Sequence, residues 1–134
     1  SYWTPRYELL GKPCVVFSTT DTSRGPEVAA DLAELMSFTG AAVVNAGCTT
    51  YQGMSDDPGE IAERTVAAYR DPASGVTMFQ QQAFLGRVIL TRKNFKKHKV
   101  GDPELCDEFI VFRERKLDRY VLLTEAIEAL CAAK

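Results

Sequence analysis

The sequence predicts an α/β fold built on parallel strands. Two short apolar segments, residues 14–17 and 41–46, flank a segment whose apolar residues recur at helical spacing. A strand–helix–strand order of this kind implies a parallel pair of strands joined by a right-handed crossover. The chain has 134 residues, of which 46% are apolar, so it is long enough to bury the core of one domain.

The first three elements follow from short signals. Residues 14–17 (CVVF) are continuously apolar, which is typical of a strand covered on both faces. Gly25-Pro26 opens a helix, because proline suits the first helical position, and Gly40 ends it. Residues 41–46 (AAVVNA) form the second strand. The apolar residues of the predicted helix share one face: Val28, Leu32, Leu35 and Met36.

The rest of the chain is predicted to be helical after a loop at residues 47–57. Asp57, Pro58 and Glu60 form a helix start, because they supply a cap, a first-position proline and an acidic third residue. Further helices are predicted at about residues 78–97, after a break at residues 101–104, and at about residues 118–132. The apolar faces of these four helices comprise Ala62, Val66 and Tyr69; Met78, Leu85, Val88, Ile89 and Phe95; Leu105, Phe109 and Phe112; and Leu123, Ile127 and Leu130.

This prediction contains too few strands for a complete sheet. Two fully apolar parallel strands need neighbours, because an unpaired edge leaves backbone groups without hydrogen bonds, and sheets usually have about four to six strands. Either further strands escape the sequence pattern, or another segment completes the sheet. The aromatic segment at residues 2–7 (YWTPRY) resembles a domain interior and favours the second explanation. Core packing is the simpler interpretation of Trp3 and Tyr7, and stacking on a cofactor or partner is the alternative.

Charge and hydropathy argue against two classes of partner. The formal net charge of −2 gives no general attraction to nucleic acid or anionic membrane. No apolar run approaches the roughly 20 residues of a membrane span, and residues 1–10 do not form a signal peptide. A basic stretch at residues 87–99 complements a helix C-terminus and is balanced by acidic residues at 102–108; the alternatives are binding to an acidic partner, a membrane surface or nucleic acid. We expect neither a nucleic-acid nor a membrane partner.

The cysteines predict reduced thiols in a cytoplasmic protein. They are far apart and form no CxxC pair, and His98, in the solvated basic stretch, is the only histidine, so we predict no metal site. Cys48 is interpreted as a small buried residue, with a reactive thiol as the alternative. The four cysteines are Cys14, Cys48, Cys106 and Cys131.

Several motifs in this order resemble the C-terminal part of flavodoxin-like NAD(P)H-dependent FMN oxidoreductases. The matching segments are residues 4–7 (TPRY), 11–12 (GK), 15–20 (VVFSTT) and 40–44 (GAAVV). In some members a helical segment that opens on a Phe-rich patch leads to an acidic stretch after the last helix, and residues 76–84 followed by 102–112 resemble this tail. The resemblance implies a three-layer flavodoxin-like sandwich with a parallel sheet. Residues 1–75 would be the C-terminal portion of that α/β domain, and residues 76–134 a helical extension packed on it.

The resemblance also implies a function. FMN would take a hydride from NAD(P)H and reduce a small-molecule electron acceptor, so no side-chain nucleophile is expected. The flavin of such folds lies beyond the carboxyl ends of the strands, and residues 18–25 match the loop that borders its ring. The residues that would contact the cofactor are Ser18, Thr19, Thr20, Asp21, Thr22, Arg24 and, from the following loop, Tyr51. The repulsion between a carboxylate and a reduced, anionic flavin favours Asp21 pointing away.

Departures from the family pattern keep a second function open. No phosphate-binding loop of the family and no Gly-rich phosphate cradle occurs in the chain, so it would hold only half a flavin site. The hydroxyl groups of residues 18–23 could cap the helix without touching a ligand, and Arg24 could be solvated rather than bound to a phosphate. The alternative is a non-catalytic flavodoxin-like module that pairs through its sheet edge with another polypeptide. That polypeptide would be a complementary N-terminal segment or a symmetry mate in a homo-oligomer.

Overall fold

The computed structural model describes residues 7–20 and 24–131, which form an α/β structure with a three-stranded mixed sheet. The strands are β1 (Pro13–Thr19), β2 (Ala42–Thr50) and β3 (Gly53–Met54). The helices are α1 (Gly25–Ser37), α2 (Pro58–Arg70), α3 (Met78–Lys97), α4 (Asp107–Glu114) and α5 (Leu123–Cys131), with a 3₁₀ turn at Leu117–Arg119. This arrangement is compatible with a three-layer α/β sandwich. The predicted all-parallel sheet is wrong in one respect, since β3 is antiparallel to β2.

The predicted strand–helix–strand unit is confirmed. β1 pairs with β2 in parallel, from Pro13 opposite Ala42 to Thr19 opposite Thr49, and α1 connects the two strands and packs on both. The predicted loop at residues 47–57 is wrong at its start, because β2 continues to Thr50 and turns back into β3. The β-branched pair Thr49-Thr50 favours the extended backbone there.

A bulge separates the two halves of β2. Val16 lies opposite Asn45 and Ser18 opposite Cys48, so residue 17 of β1 faces two residues of β2. Gly47, in the bulge, has a φ of +76°, and a Cβ at this position would collide with Ser55 Oγ. A bulge bends the strand that carries it, and β2 continues beyond this one to the turn that contains Tyr51.

β1 is not covered on both faces, contrary to the prediction. Val16 and Ser18 are buried, whereas the alternate side chains Val15 and Phe17 are 41% and 56% exposed. Among the described residues β2 is the only strand beside β1, so β1 is an edge strand. The apolar composition of β1 shows that the strand can be buried. Burial of both its faces and its edge requires further packing elements, and the described residues do not supply them.

The predicted apolar faces of α1 and α2 also point to solvent. On α1 the buried residues are Gly25 and Ala29, and on α2 no residue is fully buried. The residues predicted to face the core are exposed, except for the half-buried Met36: Val28, Leu32 and Leu35 on α1, and Ala62, Val66 and Tyr69 on α2.

The best-packed region lies in the helical second half, joined by residues from the start of the chain. Tyr7 packs edge-on against Phe84 and Phe112, with ring centroids 5.5 and 5.7 Å away. Core packing of Tyr7 is therefore confirmed, whereas Trp3 and residues 4–6 lie outside the described residues. The core consists of Tyr7, Leu10, Phe84, Val88, Phe112, Leu117, Leu123, Ala126 and Ile127.

The helical half departs from the sequence prediction in three places. The buried side of α3 carries Gln80, Phe84, Val88 and Thr91, whereas Met78, Leu85 and Ile89 of the predicted face are exposed. α4 begins at Asp107, after buried Leu105. α5 begins at Leu123 rather than near residue 118, because the 3₁₀ turn intervenes.

Candidate functional site

The carboxyl ends of β1 and β2 bring the predicted site residues to one edge of the sheet. Thr19 lies opposite Thr49, and the Thr20 N–H donates to the Thr49 carbonyl oxygen over 3.0 Å. The β1–α1 loop and the β2–β3 turn both emerge at this end. This is the position at which open α/β sheets bind ligands. Asp21 and Thr22, two of the predicted cofactor contacts, lie outside the described residues.

Ser18 has a structural partner. Its side chain is buried, and its hydroxyl donates a hydrogen bond of 2.6 Å to the Gly25 carbonyl oxygen. The expectation that hydroxyls of this loop cap the helix is wrong for Ser18, because its bond goes to a carbonyl and not to a helical N–H. The N-cap position belongs to Arg24, which makes no side-chain capping bond.

The start of α1 is packed closely against β2. A Cβ built on Gly25 would lie 2.5 Å from Thr20 Cγ2 and 2.9 Å from Cys48 Cβ. Cys48 is buried at this contact. Its surroundings agree with the interpretation of Cys48 as a small packing residue. The space between these three residues is therefore filled by the protein.

Arg24 and Tyr51 are directed outward. Arg24 Nε lies 3.5 Å from Glu27 Oε2, and both side chains are mostly exposed. Tyr51 is 85% exposed in the turn between β2 and β3. Neither residue helps to enclose a cavity with Ser18 in the described part of the chain. Of the predicted contacts, Thr19 and Thr20 lie together beside Thr49 at the carboxyl ends of the two strands, and the described residues do not enclose a site around them.

A polar network beside the bulge was not predicted as part of the site. The Ser55 hydroxyl accepts a 2.9 Å bond from the Cys48 N–H, and Arg64 donates to the Asn45 carbonyl oxygen (3.1 Å) and to Asp56 Oδ2 (3.0 Å). These bonds hold the β2–β3 hairpin against α2. The sequence signal for this contact was the glycine within a β-branched segment, followed by the polar run SDD.

A cleft opens at the opposite end of β1. It has a volume of about 450 Å³ and lies between Pro13, the end of α2 and α5. Its polar groups include Arg70, Asp71 and Glu128, and the Cys131 thiol, which donates to the Leu10 carbonyl oxygen over 3.6 Å. None of the predicted site residues lines this cleft.

One cluster in the helical half contains potential metal ligands. His98, Asp102 and Glu104 offer one atom each within 4.8 Å of the others. Hydrogen bonds account for this arrangement: His98 Nδ1 lies 2.8 Å from Asp102 Oδ2, and Asp102 Oδ1 accepts from the Glu104 N–H at 2.9 Å. That N–H and the His98 side chain hold the pKa of Asp102 below its usual range. The predicted solvated His98 is wrong, because its side chain is only 11% exposed.

Comparisons with known proteins do not add to this geometry. The chain matches no known protein family, no curated protein and no solved structure. No helix in the described ranges is both long and apolar enough to cross a membrane. The function is therefore inferred from the arrangement of the residues themselves.

Proposed function

We propose that this chain is an assembly module whose β1 edge pairs with another polypeptide. The observation that carries the proposal is the exposure of Val15 and Phe17 on an edge strand that runs parallel to its single described neighbour. Parallel sheets are normally covered on both faces and at their edges, because their strands are apolar. A strand added beside β1 would pair with its outer backbone groups, and its own side chains would pack beside Val15 and Phe17 on the same face.

The helices that flank the sheet support this proposal. Val28, Leu32 and Leu35 recur at i, i+4 and i+7 along α1, and Ala62, Val66 and Tyr69 have the same spacing along α2. Ala29, which is fully buried, lies roughly 100° around α1 from Val28. The apolar row of α1 therefore lies beside the surface that contacts the sheet, where a neighbouring helix would pack. Rows of this kind on two helices fit a sheet that continues past β1.

Site-specific photo-crosslinking tests this proposal. A photoreactive phenylalanine analogue replaces Phe17, and the matched control carries it at Val121, which is 49% exposed in the helical half. In cells that make the protein, the analogue at position 17 should give a discrete adduct with a polypeptide, and the analogue at position 121 should not. Equal or absent adducts at the two positions would contradict edge pairing.

A second candidate function is favoured by the carboxyl ends of the two parallel strands. There Thr19 and Thr20 lie next to Thr49, at the end of the sheet where such folds bind ligands. We propose that, once β1 has its missing neighbour, this end of the sheet forms one side of a flavin site in an NAD(P)H-dependent oxidoreductase. FMN, when bound, would supply the hydride transfer to a small acceptor. Thr19 and Thr20 would orient the ring, and no step is assigned to a side chain of this chain.

Flavin titration tests the second candidate. FMN is added to the protein together with its crosslinked or co-purified partner, and quenching of flavin fluorescence reports binding. Thr20→Val removes the hydroxyl but keeps the Cγ2 atom that faces Gly25, and it should weaken binding. Thr65→Val, which removes a hydroxyl bonded to the Ile61 carbonyl oxygen on α2, is the control. Absence of quenching in the assembled protein would exclude the flavin function and leave edge pairing intact.

A further inference from the structure

We propose that the polypeptide completing the β1 edge packs a helix with a lysine- or arginine-flanked apolar row against α1, and that it is not a second copy of this chain. This inference rests on the edge-pairing function proposed above. It adds the chemistry of the partner, which follows from how charge is distributed on α1.

An acidic row runs along α1. Glu27, Asp31 and Glu34 recur at i, i+4 and i+7, and the segment Gly25–Ser37 contains no lysine or arginine. All three acidic residues are exposed. Arg24 contacts Glu27, whereas no ion pair is formed by Asp31 or Glu34 with any residue that the structure describes. α1 therefore presents a row of negatively charged side chains to the solvent.

The acidic row lies beside the apolar row. Each acidic residue directly precedes an apolar residue, in the pairs Glu27-Val28, Asp31-Leu32 and Glu34-Leu35. Successive helical residues are about 100° apart, so going around α1 one meets the acidic row, then the apolar row and then buried Ala29. A helix packed on the apolar row has one flank next to the acidic row. In coiled coils, too, charged residues flank the apolar contact between the helices, and their signs determine which helices pair.

The acidic row disfavours a second copy of this chain. A twofold axis that joins two β1 edges into one sheet would place α1 beside α1 of the other copy. Asp31 of each copy would then lie beside the contact between the two α1 helices. Like charges on both sides of this contact repel each other. A partner helix with lysine or arginine on that flank turns the repulsion into attraction. α2 does not oppose this choice, because its exposed charged residues balance, two of each sign: Glu60, Glu63, Arg64 and Arg70.

Peptide binding tests the charge preference directly. Two synthetic helical peptides share one leucine row and differ only in its flanks, which are lysine in one and glutamate in the other. At low salt the lysine peptide should bind the purified chain about threefold to tenfold more tightly, as expected of two exposed ion pairs. Added salt should reduce this difference, because exposed charges are screened.

Charge reversal on α1 supplies the matched comparison. The double variant Glu27→Lys/Asp31→Lys should reverse the preference between the peptides. The control Glu114→Lys/Glu125→Lys, which makes the same change of charge at exposed positions of α4 and α5, should keep it. Equal binding of the two peptides, binding of neither, or no effect of the α1 reversal would overturn the inference.

The crosslinking experiment separates this inference from the proposed function. A Phe17 adduct with the mass of two chains would overturn the inference and support edge pairing. A Phe17 adduct with a different polypeptide, lost in Glu27→Lys/Asp31→Lys but kept in Glu114→Lys/Glu125→Lys, would support both. Failure to form any Phe17 adduct would overturn both.

Discussion

The Ser18 hydroxyl donates a buried hydrogen bond of 2.6 Å to the Gly25 carbonyl oxygen and so joins the end of β1 to the start of α1. The two residues are seven positions apart, and the loop between them carries most of the predicted cofactor contacts. Because Gly25 packs against Cys48 of β2, the bond also holds α1 on the sheet. One side chain singled out for ligand binding therefore stabilises the geometry of the loop.

Ser18→Ala should lower the free energy of unfolding by about 1 kcal/mol, because a buried carbonyl loses its hydrogen bond. Urea denaturation followed by circular dichroism measures the change. Ser37→Ala is the control, since the Ser37 hydroxyl also donates to a carbonyl oxygen, that of Glu34, but in an exposed position. Ser18 would have no structural role if both variants lost the same free energy.

Gly25→Ala should destabilise the protein by about 1–3 kcal/mol, because the added methyl group overpacks a filled space. The Cβ would lie 2.5 Å from Thr20 Cγ2 and 2.9 Å from Cys48 Cβ. Gly86→Ala is the matched control in the interior of α3, where nothing lies within 4 Å of the new Cβ. Its stability should rise by up to about 1 kcal/mol, the difference in helix propensity. A tolerated Gly25→Ala would show that α1 can move away from β2.

Gln80→Ala should lower the free energy of unfolding by about 1–3 kcal/mol, because this buried amide connects the helical half to the sheet. Gln80 Nε2 donates to the carbonyl oxygens of Ser37 (3.1 Å) and Ala41 (3.4 Å), and Oε1 accepts from the Thr77 N–H (3.1 Å). Gln82→Ala, at an exposed position two residues later, should change stability by no more than about 0.5 kcal/mol. The same urea experiment compares them, and equal effects would rule out the connecting role.

Short-range signals were sufficient to predict β1, α1, the first half of β2 and the start of α2. Pro26 marks the beginning of α1, and Asp57 accepts the Glu60 N–H as the predicted N-cap. These signals act over one helical turn, so they need no knowledge of the tertiary structure. The hairpin at β3 escaped prediction because it depends on the bulge at Gly47.

Burial and the partners of polar groups could not be predicted in the same way. The spacing of Val28, Leu32 and Leu35 indicates an apolar row, but which side of a helix is buried depends on what packs against it. Ser18 was identified as a hydrogen-bonding residue, although its partner, the Gly25 carbonyl, is brought near only by the turn into α1. The His98–Asp102 contact is local, four residues apart, and what the sequence did not indicate is the burial of the His98 side chain.

Tyr7 should make the protein lose stability at alkaline pH. Burial disfavours the tyrosinate and raises the pKa of Tyr7 from 10.0 to about 12, while the nearby Arg87 cation opposes the rise. Because the folded state holds this proton more tightly than the unfolded state, the contribution to stability is complete below the ordinary pKa. It is lost as the pH rises from about 10 to about 12, by roughly 3 kcal/mol.

Urea denaturation across this alkaline range tests the assignment with two variants. Tyr7→Phe keeps the ring against Phe84 and Phe112 but cannot ionise, so its stability should fall less steeply than that of the wild type. Tyr69→Phe, at a position 74% exposed on α2, should follow the wild-type curve. If Tyr7→Phe also followed that curve, another group would be responsible for the alkaline loss. If stability decreased less steeply with pH in Tyr7→Phe alone, the proton that is lost would be that of Tyr7. This residue lies in the core that joins the start of the chain to its helical half.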